Sequence, residues 1–222
     1  MTLNKKPAFL FDLNGTMIDD MHYHLQVWYD LVNKDLGAGL SLEAVKSHMY
    51  GKNHEVFDRI FGKGRFTSEE IATLSQRKEE KYQSIYRPHL KLLPGLESFL
   101  NKAQTIGIPM AIGSAAPLFN VDFVVDNLAL RRFFPAIISG DDVVHSKPHP
   151  STFLQAAELL DVDPASCIVF EDAPKGVEAA QNAGMKSVVL TTMHEEHEFS
   201  EYTNILLFVK DYTDLRLASL FN

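Results

Sequence analysis

A chain of 222 residues suits one core domain carrying an insertion, or two small domains. Its 45% hydrophobic and 23% charged residues are ordinary for a soluble globular protein, and a net charge of -8 argues against a nucleic-acid role, which calls for a basic face. The acidic balance leaves an anionic ligand open, because a few local cations and a metal ion can govern one pocket. No apolar run of membrane-spanning length and no N-terminal apolar leader segment occur, so a cytoplasmic protein without membrane contact is expected. The single cysteine, Cys167, cannot form an internal disulfide and reads as buried core.

The first element is Ala8-Phe9-Leu10-Phe11, an apolar run that reads as a fully buried strand of a parallel sheet. It stops on Asp12, Asn14 and Gly15. Side chains alternate along an extended chain, so Asp12 and Asn14 project to one side of the strand's end, and Gly15 permits a sharp turn beyond them. A carboxylate and a polar partner at that end occupy the crevice where open α/β sheets bind ligands. On this segment alone, two ordinary turn formers after a strand would read the same way.

Residues 21–34 predict a helix, with Met21, Leu25, Trp28, Leu31 and Val32 on one face. His24 lies on that stripe and reads as a core histidine with a satisfied hydrogen bond. Gly37 and Gly39 break the chain, a short helix starts at Ser41, and Gly51-Lys52-Asn53-His54 is a second break in which Lys52 reads as a solvated loop lysine. Thr67-Ser68-Glu69-Glu70 has capping-box spacing and predicts a helix start at Thr67. Ile71, Leu74, Tyr82 and Ile85 mark its buried stripe, which also carries Lys78, while Arg77, Glu79, Glu80 and Lys81 read as a solvated face. A lysine on an apolar stripe either snorkels or meets an anion. Arg87-Pro88 ends the helix.

From Leu93-Pro94-Gly95 onward, helical and extended patterns alternate: helix 94–106, strand 109–113, a helix after Pro117, strand 136–139, helix 150–160, strand 166–170, helix 174–183 closed by Gly184, and strands 186–190 and 204–209. This alternation predicts an α/β fold with a parallel sheet covered by helices on both faces. The run Met193 to Glu198 reads as a polar helix or loop rather than a metal site. Strand 109–113 leads into Ser114, strand 136–139 precedes Lys147, and strand 166–170 runs into Glu171-Asp172. With Asp12 these supply a carboxylate, a hydroxyl, a lysine and an acidic pair.

In that order, over nearly the whole chain, these motifs resemble those of the haloacid dehalogenase-like (HAD) phosphatase superfamily, and within it the β-phosphoglucomutase-like subfamily. The resemblance implies a Rossmann-like, doubly wound core domain (1–17 and 91–222) with a small helical cap domain inserted at 18–90, which substrate would close to exclude water. It implies Asp12 as the nucleophile that forms an aspartyl-phosphate, with Ser114, Ala115 and Lys147 holding the phosphate. It implies Mg2+ held by Asp12, Asp172 and the backbone carbonyl of Asn14, with Glu171 acting behind them or through a water. Tyr23-His24 and Trp28 resemble a Tyr-His-x-x-x-Trp pattern whose histidine is associated with the acid/base residue, and Lys78 matches a cap lysine that contacts substrate or the cap–core junction.

Three departures qualify the likeness. Asn14 stands where the family has the acid/base aspartate, and an amide donates a hydrogen bond but cannot exchange a proton; His24 is the nearest substitute. His54 stands where mutases carry an arginine for the distal phosphate, with Lys52 as a possible replacement. Ala116-Pro117 replaces polar, phosphate-holding residues. The expected function is Mg-dependent phosphoryl transfer on a small phosphorylated metabolite, of sugar-phosphate type, by a monomer acting as phosphatase or mutase. A protein that binds magnesium and phosphate without turnover, or an asparagine substitution that traps a complex, is the alternative that Asn14 leaves open.

Overall fold

The computed structural model describes residues 7–221, so the first six residues of the expected core segment lie outside it. In chain order the elements are β1 (Ala8–Phe11), α1 (Met21–Asp30), α2 (Leu42–His48), α3 (Asn53–Phe61), α4 (Ser68–Tyr86), α5 (Leu96–Thr105), β2 (Met110–Gly113), α6 (Leu118–Asn127), β3 (Ala136–Ile138), α7 (Ser151–Leu159), β4 (Cys167–Glu171), α8 (Pro174–Asn182), β5 (Lys186–Leu190) and β6 (Ile205–Val209). The chain divides into two compact units: Asp20–Leu90, and the residues before and after that segment. Among the described residues, no helix is long and apolar enough to cross a membrane.

The larger unit is built on a six-stranded sheet of order β3-β2-β1-β4-β5-β6. Every neighbouring pair is parallel. This is a Rossmann-like α/β fold, and the chain's direction of travel across the sheet reverses between β1 and β4. Ligands in open α/β sheets bind outside the carboxyl ends of the strands at that reversal.

The four residues of β1 are fully buried because both faces of the strand are covered. Phe9 and Phe11 turn to one face, where Phe11 stacks on Phe170 at 4.6 Å and Phe9 on Phe99 of α5 at 5.5 Å. Ala8 and Leu10 turn to the other and join Phe153 and Ala156 of α7 and Ala180 of α8. The period of two that defines a strand thus feeds two separate cores. Cys167 lies in the second of these, and burial pushes its thiol up to about 11, so it is an inert packing residue.

The smaller unit packs α1 to α4 around Trp28, Leu31, Val32, Val45, Val56, Phe57 and Leu74. Ser41 and Thr67 cap α2 and α4 as their spacing predicts; Thr67 Oγ1 accepts from Glu70 N at 3.2 Å, and Glu70 Oε2 accepts from Thr67 N at 2.8 Å. Two expectations need correction. The helix read as 21–34 is α-helical only to Asp30 and continues as a π-helical turn, Leu31–Asp35. There the Asn33 amide closes onto Leu40, donating to its carbonyl at 3.1 Å and accepting from its N–H at 2.7 Å. The break read at 51–54 is the start of α3, where Glu55 Oε2 accepts from Lys52 N at 2.7 Å, so Lys52 is a helix cap rather than a loop residue.

A candidate active site at the carboxyl ends of β1 and β4

In-register pairing of Phe11 with Phe170 brings Asp12 and Glu171, the next residue on each strand, to the same level. Asp12 N–H donates to the Phe170 carbonyl at 2.9 Å, which fixes the backbone from which its carboxylate projects. Lys147 reaches this point from the loop after β3 and is 7% exposed. Its Nζ donates to Asp12 Oδ1 at 2.6 Å and to Glu171 Oε1 at 2.8 Å. Burial works against the ammonium charge, but the Asp12 and Glu171 carboxylates outweigh it and raise Lys147 above the ordinary lysine value. It is therefore a fixed cation.

Glu171 is held on both oxygens. While Oε1 faces Lys147, Oε2 accepts from the backbone N–H groups of Asp172 and Ala173, each at 2.8 Å. This carboxylate lies against Gly176 of α8, where a Cβ would meet Oε1 at 1.7 Å. Asp172 Oδ1 accepts from Thr16 Oγ1 at 3.3 Å. Asp12, Glu171 and Asp172 each present an oxygen, all mutually within 4.8 Å. Like-charged carboxylates this close repel unless cations intervene, and Lys147 supplies only one. Hard oxygen donors packed this way fit a divalent cation such as Mg2+.

The sequence profile of the haloacid dehalogenase-like hydrolases matches residues 6–184. This chain belongs to that family. The β-phosphoglucomutase of Bacillus subtilis is 31% identical over 82% of this chain and 81% of its own. The fructose-1-phosphate phosphatase of Escherichia coli is 29% identical over 82% of this chain and 94% of its own. Among solved structures, a Clostridium difficile β-phosphoglucomutase superposes with a TM-score of 0.84 and 28% identity, covering 98% of this chain and 97% of that one.

In this member of the family the loop after β2 brings Ser114 to the same end of the sheet. Ser114 is 1% exposed, its N–H donates to Ile138 O at 2.9 Å, and its Oγ accepts from Ala116 N at 3.1 Å. The loop is pinned from behind by Gly140, whose N–H donates to Ala116 O at 2.7 Å and where a Cβ would stand 2.4 Å from Ala115 O. The first N–H of α6, on Leu118, donates to Asp141 Oδ2 at 2.9 Å, so a carboxylate of the protein already occupies that helix terminus. Asn14 lies in an isolated bridge to Ile18 and is half-buried.

The candidate residues of the smaller unit form a cluster of their own. Lys78 Nζ is 2.9 Å from His24 Nδ1. An ammonium has no acceptor, so Nδ1 accepts and the ring proton sits on Nε2, 3.5 Å from Asp20 Oδ2. The ring stacks on Tyr82 at 3.7 Å. Burial and then Lys78 hold His24 below the ordinary histidine value, against an opposing pull from Asp20. Both nitrogens of the neutral imidazole therefore face partners within this unit. Trp28 is 2% exposed and packs edge-on against Phe57 at 5.2 Å. Glu79 corrects the reading of a solvated face: it is 3% exposed, and its oxygens accept from Lys78 Nζ at 3.0 and 2.9 Å.

Because His24 is depressed when folded, the unfolded chain binds its proton first, and stability from this group is present above pH ~6.5 and lost as pH falls below it. Thermal midpoints measured between pH 8 and 5 should decline across that window, and His24→Gln should flatten the decline. An unchanged slope would show that other groups carry it.

Sequence reasoning reached one support of this site, Gly15, only as a turn former, and passed over two others, Thr192 and Tyr212. Gly15 has φ 73°, and a Cβ there would fall 2.1 Å from Asp172 Oδ2. Thr192 Oγ1 donates to Gly15 O at 2.6 Å, and Tyr212 OH donates to Thr16 O at 3.2 Å. Burial, then Asp12 and Asp172, push the Tyr212 phenol well up. The glycine was visible as a turn former, but Thr192 and Tyr212 lie in late loops with no pattern around them. Gly15→Ala should cost about 1–3 kcal/mol from backbone strain alone, and displacing Asp172 should weaken Mg2+ binding further. Calorimetric titration with Mg2+ beside thermal melts checks both, and affinity and stability equal to wild type would contradict the close approach.

Proposed function

We propose that the protein is a magnesium-dependent phosphatase of small phosphorylated metabolites of the sugar-phosphate class, working through an aspartyl-phosphate on Asp12. The observation that carries this reading is the buried cluster in which Lys147 bridges Asp12 and Glu171 beside Asp172. Asp12 and Asp172, with the backbone carbonyl of Asn14, would hold Mg2+. When bound, the ion offsets charge between the phosphate and the carboxylates so that an anion can be attacked by an anion.

The chain's own residues supply the rest. Lys147 and the Ser114 hydroxyl bind phosphate oxygens and orient phosphorus towards Asp12. An Asp12 oxygen bonds to phosphorus as the ester oxygen departs with its electron pair and takes a proton. Water then attacks phosphorus, the aspartyl bond breaks, and inorganic phosphate leaves with the Asp12 carboxylate restored. With an amide at 14, the departing oxygen draws its proton from solvent, so turnover is slow. Hydrolysis is favoured over a mutase reaction because Asp141 takes up the α6 terminus and Ala116-Pro117 brings no side-chain donor for a second phosphate. Similarity to a β-phosphoglucomutase and to a fructose-1-phosphate phosphatase supports the sugar-phosphate class.

A phosphate-release screen over sugar phosphates, nucleotides and pyrophosphate, with Mg2+ and with EDTA, tests the reading. Metal-dependent release from sugar phosphates is expected. Tight Mg2+ and phosphate binding with no release from any compound, even with Asp at 14, would favour a non-catalytic binding protein instead.

A further inference from the structure

Three consecutive carbonyls just past Asp12, those of Gly15, Thr16 and Met17, are each tied to a distant part of the larger unit. Thr192 Oγ1 donates to Gly15 O at 2.6 Å, Tyr212 OH to Thr16 O at 3.2 Å, and Leu93 N–H to Met17 O at 2.9 Å. The segment so fastened lies against both oxygens of the Asp172 carboxylate. Thr16 Oγ1 donates to Oδ1 at 3.3 Å, and Gly15 approaches Oδ2 so closely that a Cβ would stand 2.1 Å from it. Thr16, Asp172 and Tyr212 are each at most 5% exposed.

The two hydroxyl donors are themselves anchored. Beside Thr192, Thr191 N–H donates to Val209 O at 2.9 Å and joins the end of β5 to the end of β6. Tyr212 N–H donates to Pro94 O at 3.0 Å, and a Cβ on Gly95 would lie 2.6 Å from the Tyr212 carbonyl carbon. The Tyr212 ring packs on Phe99 at 5.4 Å and on Phe170, two residues before Asp172, at 5.8 Å. Both hydroxyls therefore have little freedom, and neither do the carbonyls they hold.

We propose that Thr192 and Tyr212 are positioning residues: by fastening Gly15 and Thr16 against Asp172 they keep its carboxylate stiff and give the site its preference for Mg2+ over the larger Ca2+. This role rests on the metal-dependent part of the phosphatase reading and adds the residues that select the ion. Mg2+ demands near-ideal octahedral geometry at about 2.0–2.1 Å, whereas Ca2+ accepts about 2.3–2.6 Å and a variable set of oxygens. Loosening one carboxylate thus costs Mg2+ more than Ca2+.

Calorimetric titrations of the full chain with MgCl2 and, separately, with CaCl2 test this on wild type, Tyr212→Phe, Thr192→Val, the double variant and Thr192→Ser. Phenylalanine and valine keep the packing and remove the donor, whereas serine keeps the donor. The double variant should lose about tenfold or more in Mg2+ affinity, the usual scale for groups behind metal ligands, and much less in Ca2+ affinity. Thr192→Ser should stay near wild type. Melts in EDTA establish which variants are folded at the titration temperature, and if the double variant is not, the single variants decide by the same ratio of affinities. An unchanged ratio overturns the proposal, as does an equal loss for both ions or a wild type that binds Mg2+ no better than Ca2+. Phosphate release from glucose 6-phosphate is measured alongside. No release with a shifted ratio counts against the phosphatase reading alone, and release with an unchanged ratio counts against the proposal alone.

Discussion

Asn14→Asp should raise phosphomonoester turnover by about 10²–10⁴-fold, the usual contribution of general acid–base assistance. Asn14 lies two residues beyond Asp12 on the same segment, so a carboxyl there serves the same reacting group without rebuilding the site. The site otherwise holds the Asp12 carboxylate, which the proposed mechanism uses as nucleophile, a fixed cation, and carboxylate oxygens close enough to share a metal ion. The proposed mechanism also calls for a group that gives a proton to the departing oxygen and takes one from water, which an amide at 14 cannot do. His24, the substitute the resemblance suggests, has Lys78 and Asp20 facing its two ring nitrogens. Steady-state phosphate release for the two proteins side by side measures the difference. Equal rates would show that another group already moves the proton, and the account of Asn14 would then be wrong.

Lys147→Met should lower turnover by about 10²–10³-fold, the scale of losing one preorganised charge contact in a water-poor site. The change also leaves Asp12 and Glu171 buried without their shared cation, a loss on the order of 3–5 kcal/mol. Millimolar Mg2+ should recover part of that stability, because a bound cation near Asp12 takes over some of the neutralisation and any ligand of the native state stabilises it by mass action. Thermal melts with and without Mg2+, set beside phosphate release, report both effects. A variant as stable as wild type in EDTA would mean that Lys147 does not compensate these carboxylates, and the electrostatic description of the site would fail.

Much of this site was legible along the chain because all but one of its components follow a short apolar run that reads as a buried strand. Asp12 after Phe11, Ser114 after Gly113, and Glu171-Asp172 after Phe170 carry their own structural address. Lys147 carried none, since its strand ends at Ile138 and a loop intervenes. Its place depends on three-dimensional pairing with Asp12. Glu79 misled for the opposite reason. Its neighbours Arg77, Glu80 and Lys81 are exposed, and helical periodicity alone cannot reveal that one charged residue among them turns inward to a buried lysine.

Local order therefore determined which residues end strands, where helices begin at Ser41 and Thr67, and that the sheet is parallel, since backbone periodicity and capping act over a few residues. Tertiary packing alone decided which charges meet. Lys147 lies 135 positions from Asp12 and 24 from Glu171, and Thr192 lies 177 from Gly15. Ionic and hydrogen-bond partners are selected by distance in space, and no spacing along the chain encodes them.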